Sequence, residues 1–203
     1  QVAVMDMLVD QVNQLTIGRG EGPGRLYYTA HLETYLPVES VEPLGRGVIV
    51  AREYTAASCN PDETQCEPLT SIPLGEGVRV KLTLIAPHDL YYVLVEDPLP
   101  AGAEAVDPNL LTSSTQDTGQ GWVPAEQSYR WGWWGWWWFN QTQVRDDKVV
   151  LFADYLPAAT YEYSYIMRAS LPGEFRVMPT TAREFYFPEV FGRSDGMLFE
   201  ILP

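Results

Sequence analysis

The chain has 203 residues, of which 46% are apolar and 20% charged, enough for one large domain with a buried core or one domain plus a fragment of another. General disorder is excluded by the same figures. Thirteen basic residues against 27 acidic ones leave a net charge of −14, which repels phosphate backbones and anionic headgroups and excludes nucleic acid and membrane surfaces as partners.

Near the start, Val4, Leu8, Val12 and Leu15 fall at helical spacing and predict one short amphipathic helix. Residues 18–24, GRGEGPG, predict a tight hairpin turn, and Leu26, Tyr28, Ala30 and Leu32 predict a strand after it. PVESVEPLGRG, residues 37–47, reads as a linker with two prolines and two acids. Residues 1–42 are too few for a core of their own, so they are assigned to the end of a neighbouring domain, and 43–203 to one sandwich.

Within 43–203 the period is two. Val78, Val80, Leu82 and Leu84 point one way while Arg79, Lys81 and Thr83 point the other. Tyr161, Tyr163, Tyr165 and Met167 alternate with Glu162, Ser164, Ile166 and Arg168. Further strands are predicted at 47–54, 90–96, 148–155, 174–178 and 197–202. The connections LGEG, APHD, LPAG, LPAA and SLPG carry turn chemistry. Thr181-Ala-Arg-Glu184 has capping-box spacing and predicts a helical turn closed by Pro188. The whole reads as an all-β antiparallel sandwich with few short helices. An irregular stretch of about 103–147 interrupts it, and a loop of that length marks an elaboration or a function.

Cys59 and Cys66 bracket the polar segment CNPDETQC. The spacing fits neither a zinc knuckle nor a thioredoxin-type pair. A disulfide closing a hairpin tip is the simplest reading and favours an oxidising compartment. Two unpaired thiols on a cytosolic loop are the alternative. His31 and His88 are the two histidines, and neither stands beside a metal-ligand pattern. No metal and no cofactor is expected.

Gly192-Arg-Ser194-Asp-Gly196 matches the literal pattern of a hydrolase nucleophile elbow, which needs a strand before it and an acid and a histidine after it. No histidine follows, and the flanks predict a turn between β segments. GRGEGPG lacks the spacing of a phosphate loop. Asp62-Glu63 and Asp146-Asp147 lack the alternating oxygens of a calcium loop. The most unusual stretch holds Trp131, Trp133, Trp134, Trp136, Trp137 and Trp138, six of the seven tryptophans. Neighbours alternate along a strand, so three consecutive tryptophans cannot share one face. Burial on the sandwich is the first reading. An aromatic platform for sugars or a partner protein is the second, and sugar titration of tryptophan fluorescence separates them.

VRVKLTL (78–84), VEDPLPAGAEA (95–105), RDDKVVLFADYLPAATYEYSYIMRASLPGEF (145–175) and AREFYFPEVFGRSDG (182–196) resemble the last macroglobulin-like domain of bacterial alpha-2-macroglobulins. GPGRLYYTAHL (22–32) resembles the segment joining a preceding CUB-like domain to it. The resemblance implies a large secreted or envelope-bound protein that traps proteases. In that family a bait segment is cut, the molecule rearranges, and a thioester in another domain attaches to the attacker. The thioester motif Cys-x-Glu-Gln is matched by neither Cys59 nor Cys66, so the chain resembles the terminal fragment without the trapping chemistry. The resemblance makes it a non-enzymatic, extracellular or periplasmic domain that contacts the thioester and CUB-like domains and meets target proteases indirectly. It also implies a site. A Met-Tyr or similar pair in the matching segment covers the thioester. Here Phe185 stands where methionine is common, and Tyr186 keeps the aromatic hydroxyl.

Overall fold

The computed structural model describes residues 7, 11–29, 35–59, 65–106 and 141–203. Compact packing divides the chain into residues 1–35 and 36–203.

In the first unit, residues 11–20 and 25–29 carry no helix or strand. Leu26 and Tyr28 are exposed, so the predicted strand does not form over its described part. GRGEGPG bends at 21–24 without paired strands on either side, and the Arg19 guanidinium donates to the carbonyls of Gly22 and Gly24. Two short strands alone bury too little surface to hold a hairpin. The helix predicted over 4–15 is absent at 11–15, and most of the rest lies outside the described residues.

The second unit is an all-β sandwich. In chain order its strands are β1 (Leu44–Arg46), β2 (Ile49–Ala56), β3 (Ser71–Pro73), β4 (Gly77–Ala86), β5 (Leu90–Pro98), β6 (Ala103–Ala105), β7 (Gln141–Val144), β8 (Lys148–Leu156), β9 (Ala159–Ala169), β10 (Gly173–Val177), β11 (Thr181–Glu184), β12 (Phe191–Arg193) and β13 (Met197–Leu202). A six-stranded sheet has the order β1-β12-β11-β5-β8-β7, a four-stranded sheet β2-β4-β9-β6, and a three-stranded sheet β10-β13-β3. Pairing is antiparallel except between β13 and β3. The central ladder, β4 with β9, runs from Gly77↔Arg168 to Ala86↔Ala159. Inward residues of β4 and β9 meet those of β5 and β8. Leu82, Leu84, Tyr161 and Tyr163 line one apolar gap together with Val95 and Leu151.

The alternation in β4 holds: Val78, Val80, Leu82 and Leu84 are buried. In β9, Tyr161, Tyr163, Tyr165 and Met167 are buried as predicted, but Ile166 on the opposite face is buried too. The helical turn predicted at 181–184 is strand β11. It pairs with β5 on one side and β12 on the other, and two ladders outcompete one local capping box. The irregular stretch is shorter than predicted, because its first residues form β6 on β9 and its last form β7 on β8. Residues 107–140 lie outside the described ones.

Upstream of β1, the 3₁₀ turn Val38–Ser40 buries Val38, and the Gly196 N–H donates to the Val41 carbonyl at 3.1 Å. The two glycines of Gly192-x-Ser-x-Gly196 serve this packing. A Cβ on Gly192 would stand 2.5 Å from the Val48 carbonyl oxygen, and one on Gly196 would overlap the Val38 carbonyl.

Cys59 and Cys66 form a disulfide, with Cα atoms 5.9 Å apart, in the segment that leaves β2 before β3. Closing a loop of about eight residues contributes roughly 2.5 kcal/mol on the chain-entropy model. We therefore expect Cys59→Ser with Cys66→Ser to lower the unfolding free energy read from urea denaturation by no more than that and to leave the sandwich folded. Mass spectrometry after alkylation without reductant checks the bond, and two alkylated thiols in fresh protein would contradict it.

Candidate functional site

One end of the six-stranded sheet carries an aromatic ledge, and a slip in strand phase creates it. In β5 the residues Val93, Val95 and Asp97 face inward, so strict alternation would place Tyr91 inside as well. Leu90 is buried instead, and Tyr91 and Tyr92 are exposed. The slip falls at Tyr92, whose φ of +52° lies in the left-handed region. Strand β8 slips in step. Val149, Leu151 and Ala153 are buried, and then Leu156. The cross-strand partners Tyr91 and Tyr155 therefore both turn outward, with ring centroids 5.2 Å apart. The Tyr155 hydroxyl donates to Asp89 Oδ2 at 2.8 Å, and the Ala158 N–H donates to Oδ1 at 3.0 Å. These two bonds hold the Asp89 carboxyl below its usual range, Tyr155 first.

The segment after β11 completes the ledge. Glu184 is buried, and its Oε1 accepts the Tyr91 N–H at 2.7 Å. The Glu184 N–H donates to the Val190 carbonyl at 3.1 Å, the Phe185 N–H to the Tyr92 carbonyl at 2.9 Å, and the Val190 N–H to the Phe187 carbonyl at 2.9 Å. The loop backbone is thus tied at both ends, while its side chains stand free. Phe185 is 58% exposed, Tyr186 65% and Phe187 63%. The Tyr186 ring meets Tyr92 edge-on at 5.1 Å and Phe185 edge-on at 5.3 Å. Such a surface presents apolar bulk and phenol hydroxyls together.

A second constellation escaped the sequence reading and lies inside the sandwich. Asp97 is fully buried, and Oδ1 accepts from Arg52 Nη1 at 2.8 Å and from Thr180 Oγ1 at 2.7 Å. Its Oδ2 accepts from the Tyr165 hydroxyl at 2.7 Å. Arg52 Nη1 also donates to the Met178 carbonyl at 3.0 Å, and its guanidinium lies 5.3 Å from the Tyr54 ring centroid. Burial opposes the Arg52 charge, but Asp97, with Tyr54 and Tyr165, outweighs it, and the net direction of its pKa is upward. Thr180 extends the network, since its N–H donates to Ser194 Oγ at 3.0 Å. The signal was present. Arg52 lies in phase with the buried Val50 and Tyr54, and Asp97 in phase with Val93 and Val95. Charged residues at inward positions of two strands were there to be paired.

Ser194 is buried, in the turn between β12 and β13 as predicted, and its hydroxyl donates to the Asp195 carbonyl at 2.9 Å. Its hydroxyl is turned into this packing. Among the described residues no group of three or more His, Cys, Asp or Glu is placed to hold a metal ion, and no helix is long and apolar enough to cross a membrane. Trp131, Trp133, Trp134, Trp136, Trp137 and Trp138 lie outside the described residues.

Residues 47–189 match the family model for the bacterial alpha-2-macroglobulin MG10 domain. Sandwich and match together define a macroglobulin-like domain. The chain belongs to the bacterial alpha-2-macroglobulin family through that domain. An alpha-2-macroglobulin homolog of Nostoc sp. is 29% identical over 133 residues, covering 64% of this chain and 6% of that protein. A Dictyostelium discoideum protein named circularly permutated Ras protein 2 is 28% identical over 181 residues, covering 87% of this chain and 4% of its own length. The chain thus spans a small fraction of these relatives. Among solved structures, Escherichia coli alpha-2-macroglobulin activated by porcine elastase has a TM-score of 0.62 at 21% identity, covering 80% of this chain and 14% of that one. Salmonella alpha-2-macroglobulin reacted with methylamine has a TM-score of 0.59 at 23% identity, covering 80% and 10%. At those identities the likeness shows the fold.

Proposed function

We propose that this chain is the non-catalytic C-terminal macroglobulin-like domain of an exported bacterial protease-trapping protein, and that it packs on and shields a thioester domain through Phe185 and Tyr186. On this reading residues 1–42 are the end of a preceding CUB-like domain plus a linker. The neighbouring thioester and CUB-like domains of the parent are its partners, and proteases are met indirectly in the extracellular space or cell envelope.

The observation that carries the reading is the pair itself. Phe185 and Tyr186 are held on a tied loop yet face outward, in the segment where the family places its cover. A rigid apolar surface without chemistry of its own suits the exclusion of water and small nucleophiles from a reactive bond. Methylamine is such a nucleophile, and a Salmonella relative was solved after reacting with it.

The test is Phe185→Ala with Tyr186→Ala in the full-length parent, following thioester loss to methylamine without any protease. The rate is expected to rise at least about tenfold, equivalent to about 1.4 kcal/mol of lost protection. An unchanged rate, with the domain still folded, would remove the shielding role.

A further inference from the structure

We propose that Tyr92 is a positioning residue: its ring and carbonyl hold Tyr186 in place, and so set how well the ledge covers the thioester. The inference rests on the shielding role proposed above.

Among the described residues Tyr92 is the one non-glycine with a positive φ. An aromatic residue adopts that backbone rarely, whereas Gly or Asn does so with ease. Either would serve the strand slip as well. Burial does not explain the tyrosine, because it is 44% exposed. What the position supplies is contact with the loop. The Tyr92 carbonyl accepts the Phe185 N–H at 2.9 Å, which fixes the backbone just before Tyr186. The Tyr92 ring meets the Tyr186 ring at 5.1 Å and 90°, an arrangement that rings favour beyond simple area burial. The other ring that Tyr186 meets among the described residues is Phe185, edge-on, itself an exposed side chain. Tyr92 belongs to β5, which is paired on both sides by β11 and β8. It anchors the outermost ring of the ledge to the rigid sheet.

The test compares Tyr92→Phe with Tyr92→Asn. Asn tolerates the left-handed backbone, so it keeps the strand slip and removes the ring. Tyr92→Gly is a second ring-free variant. In the 203-residue chain with labelled tyrosine, Y92F should leave the Tyr186 ring-proton shifts in place, and Y92N should move them toward free tyrosine. In the full-length parent, Y92N should raise the methylamine rate about 2- to 10-fold, the weight of one edge-to-face pair. Y92F should not, and Y92N added to Y186A should add nothing. Unmoved Tyr186 shifts in both ring-free variants would overturn the positioning role. So would a parent in which Y186A speeds the reaction and Y92N does not. If the shifts move but Y186A leaves the rate unchanged, the shielding role fails and Tyr92 stands only as the residue that holds Tyr186.

Discussion

Replacing Asp97 by alanine is expected to destabilise the sandwich by about 3–5 kcal/mol, the cost of leaving a buried charge without its partner. Few single substitutions in this chain remove as much. The carboxylate accepts from Arg52, Thr180 and Tyr165 at once, so its loss strands one cation and two hydroxyls. The Arg52 side chain is only 1% exposed and cannot swing to water without opening the sheets. Among the described residues its Nε and Nη2 atoms have no hydrogen-bond partners, so contacts at Nη1 and the Tyr54 ring face stabilise the charge. The network joins β2, β5 and β9 with Thr180, just before β11. Its residues therefore tie the four-stranded sheet to the six-stranded one. Removing both charges, Arg52→Met with Asp97→Asn, should cost less than Asp97→Ala, because no uncompensated ion remains and the amide oxygen still accepts. Urea denaturation at pH 7 decides it through a midpoint shift at constant slope. An Asp97→Ala loss below about 1 kcal/mol, or a double variant worse than the single, would show that the ion pair does not hold the sheets together.

Sequence periodicity alone located the long strands, and the reason is visible in β4 and β9. Each is paired along its length and buried on one face, so its pattern records both facts. The short strands were missed because three or four residues carry too little pattern to stand out. Strand β11 was misread for a physical reason. Thr-x-x-Glu is a local helix signal, but Glu184 bonds the Tyr91 N–H of a distant strand, and nothing local announces that partner. The ledge was half legible. Three consecutive aromatics before a proline are too many for one core, and all three are exposed. Tyr91 and Tyr155 were not legible, since their outward turn depends on a backbone slip shared by two strands. In the first unit Leu26 and Tyr28 carry strand alternation without a sheet to receive it. Alternation reports an apolar face, not the surface that covers it.

Alkali should unfold this domain more steeply than an ordinary sandwich of its size. Burial pushes the Tyr54 phenol up, against the opposing pull of Arg52. Burial pushes the Tyr165 phenol up as well, and the adjacent Asp97 carboxylate adds to it. In the unfolded chain both tyrosines release their protons near pH 10, about the ordinary value. The folded chain still holds them there. Above that pH the unfolded state binds fewer protons than the native one, so raising the pH favours unfolding. The stability they contribute is fully present below about pH 10 and is lost as pH climbs toward their raised folded values. A phenol that stays protonated in the fold while the unfolded chain ionises contributes about 1.4 kcal/mol per pH unit. Tyr161 is also pushed up by burial and acts in the same direction. The two tyrosines separate at neutral pH. Among the described residues the Tyr54 hydroxyl has no hydrogen-bond partner, so Tyr54→Phe should be neutral or stabilising at pH 7. Tyr165→Phe should cost about 1–2 kcal/mol there, because Asp97 loses a donor. Each should lower the alkaline slope. Urea midpoints at several pH values, with tyrosinate absorbance followed in parallel, test this directly. A midpoint that stays flat from pH 10 to 12 would mean that both phenols ionise in place, and that the network is open to water.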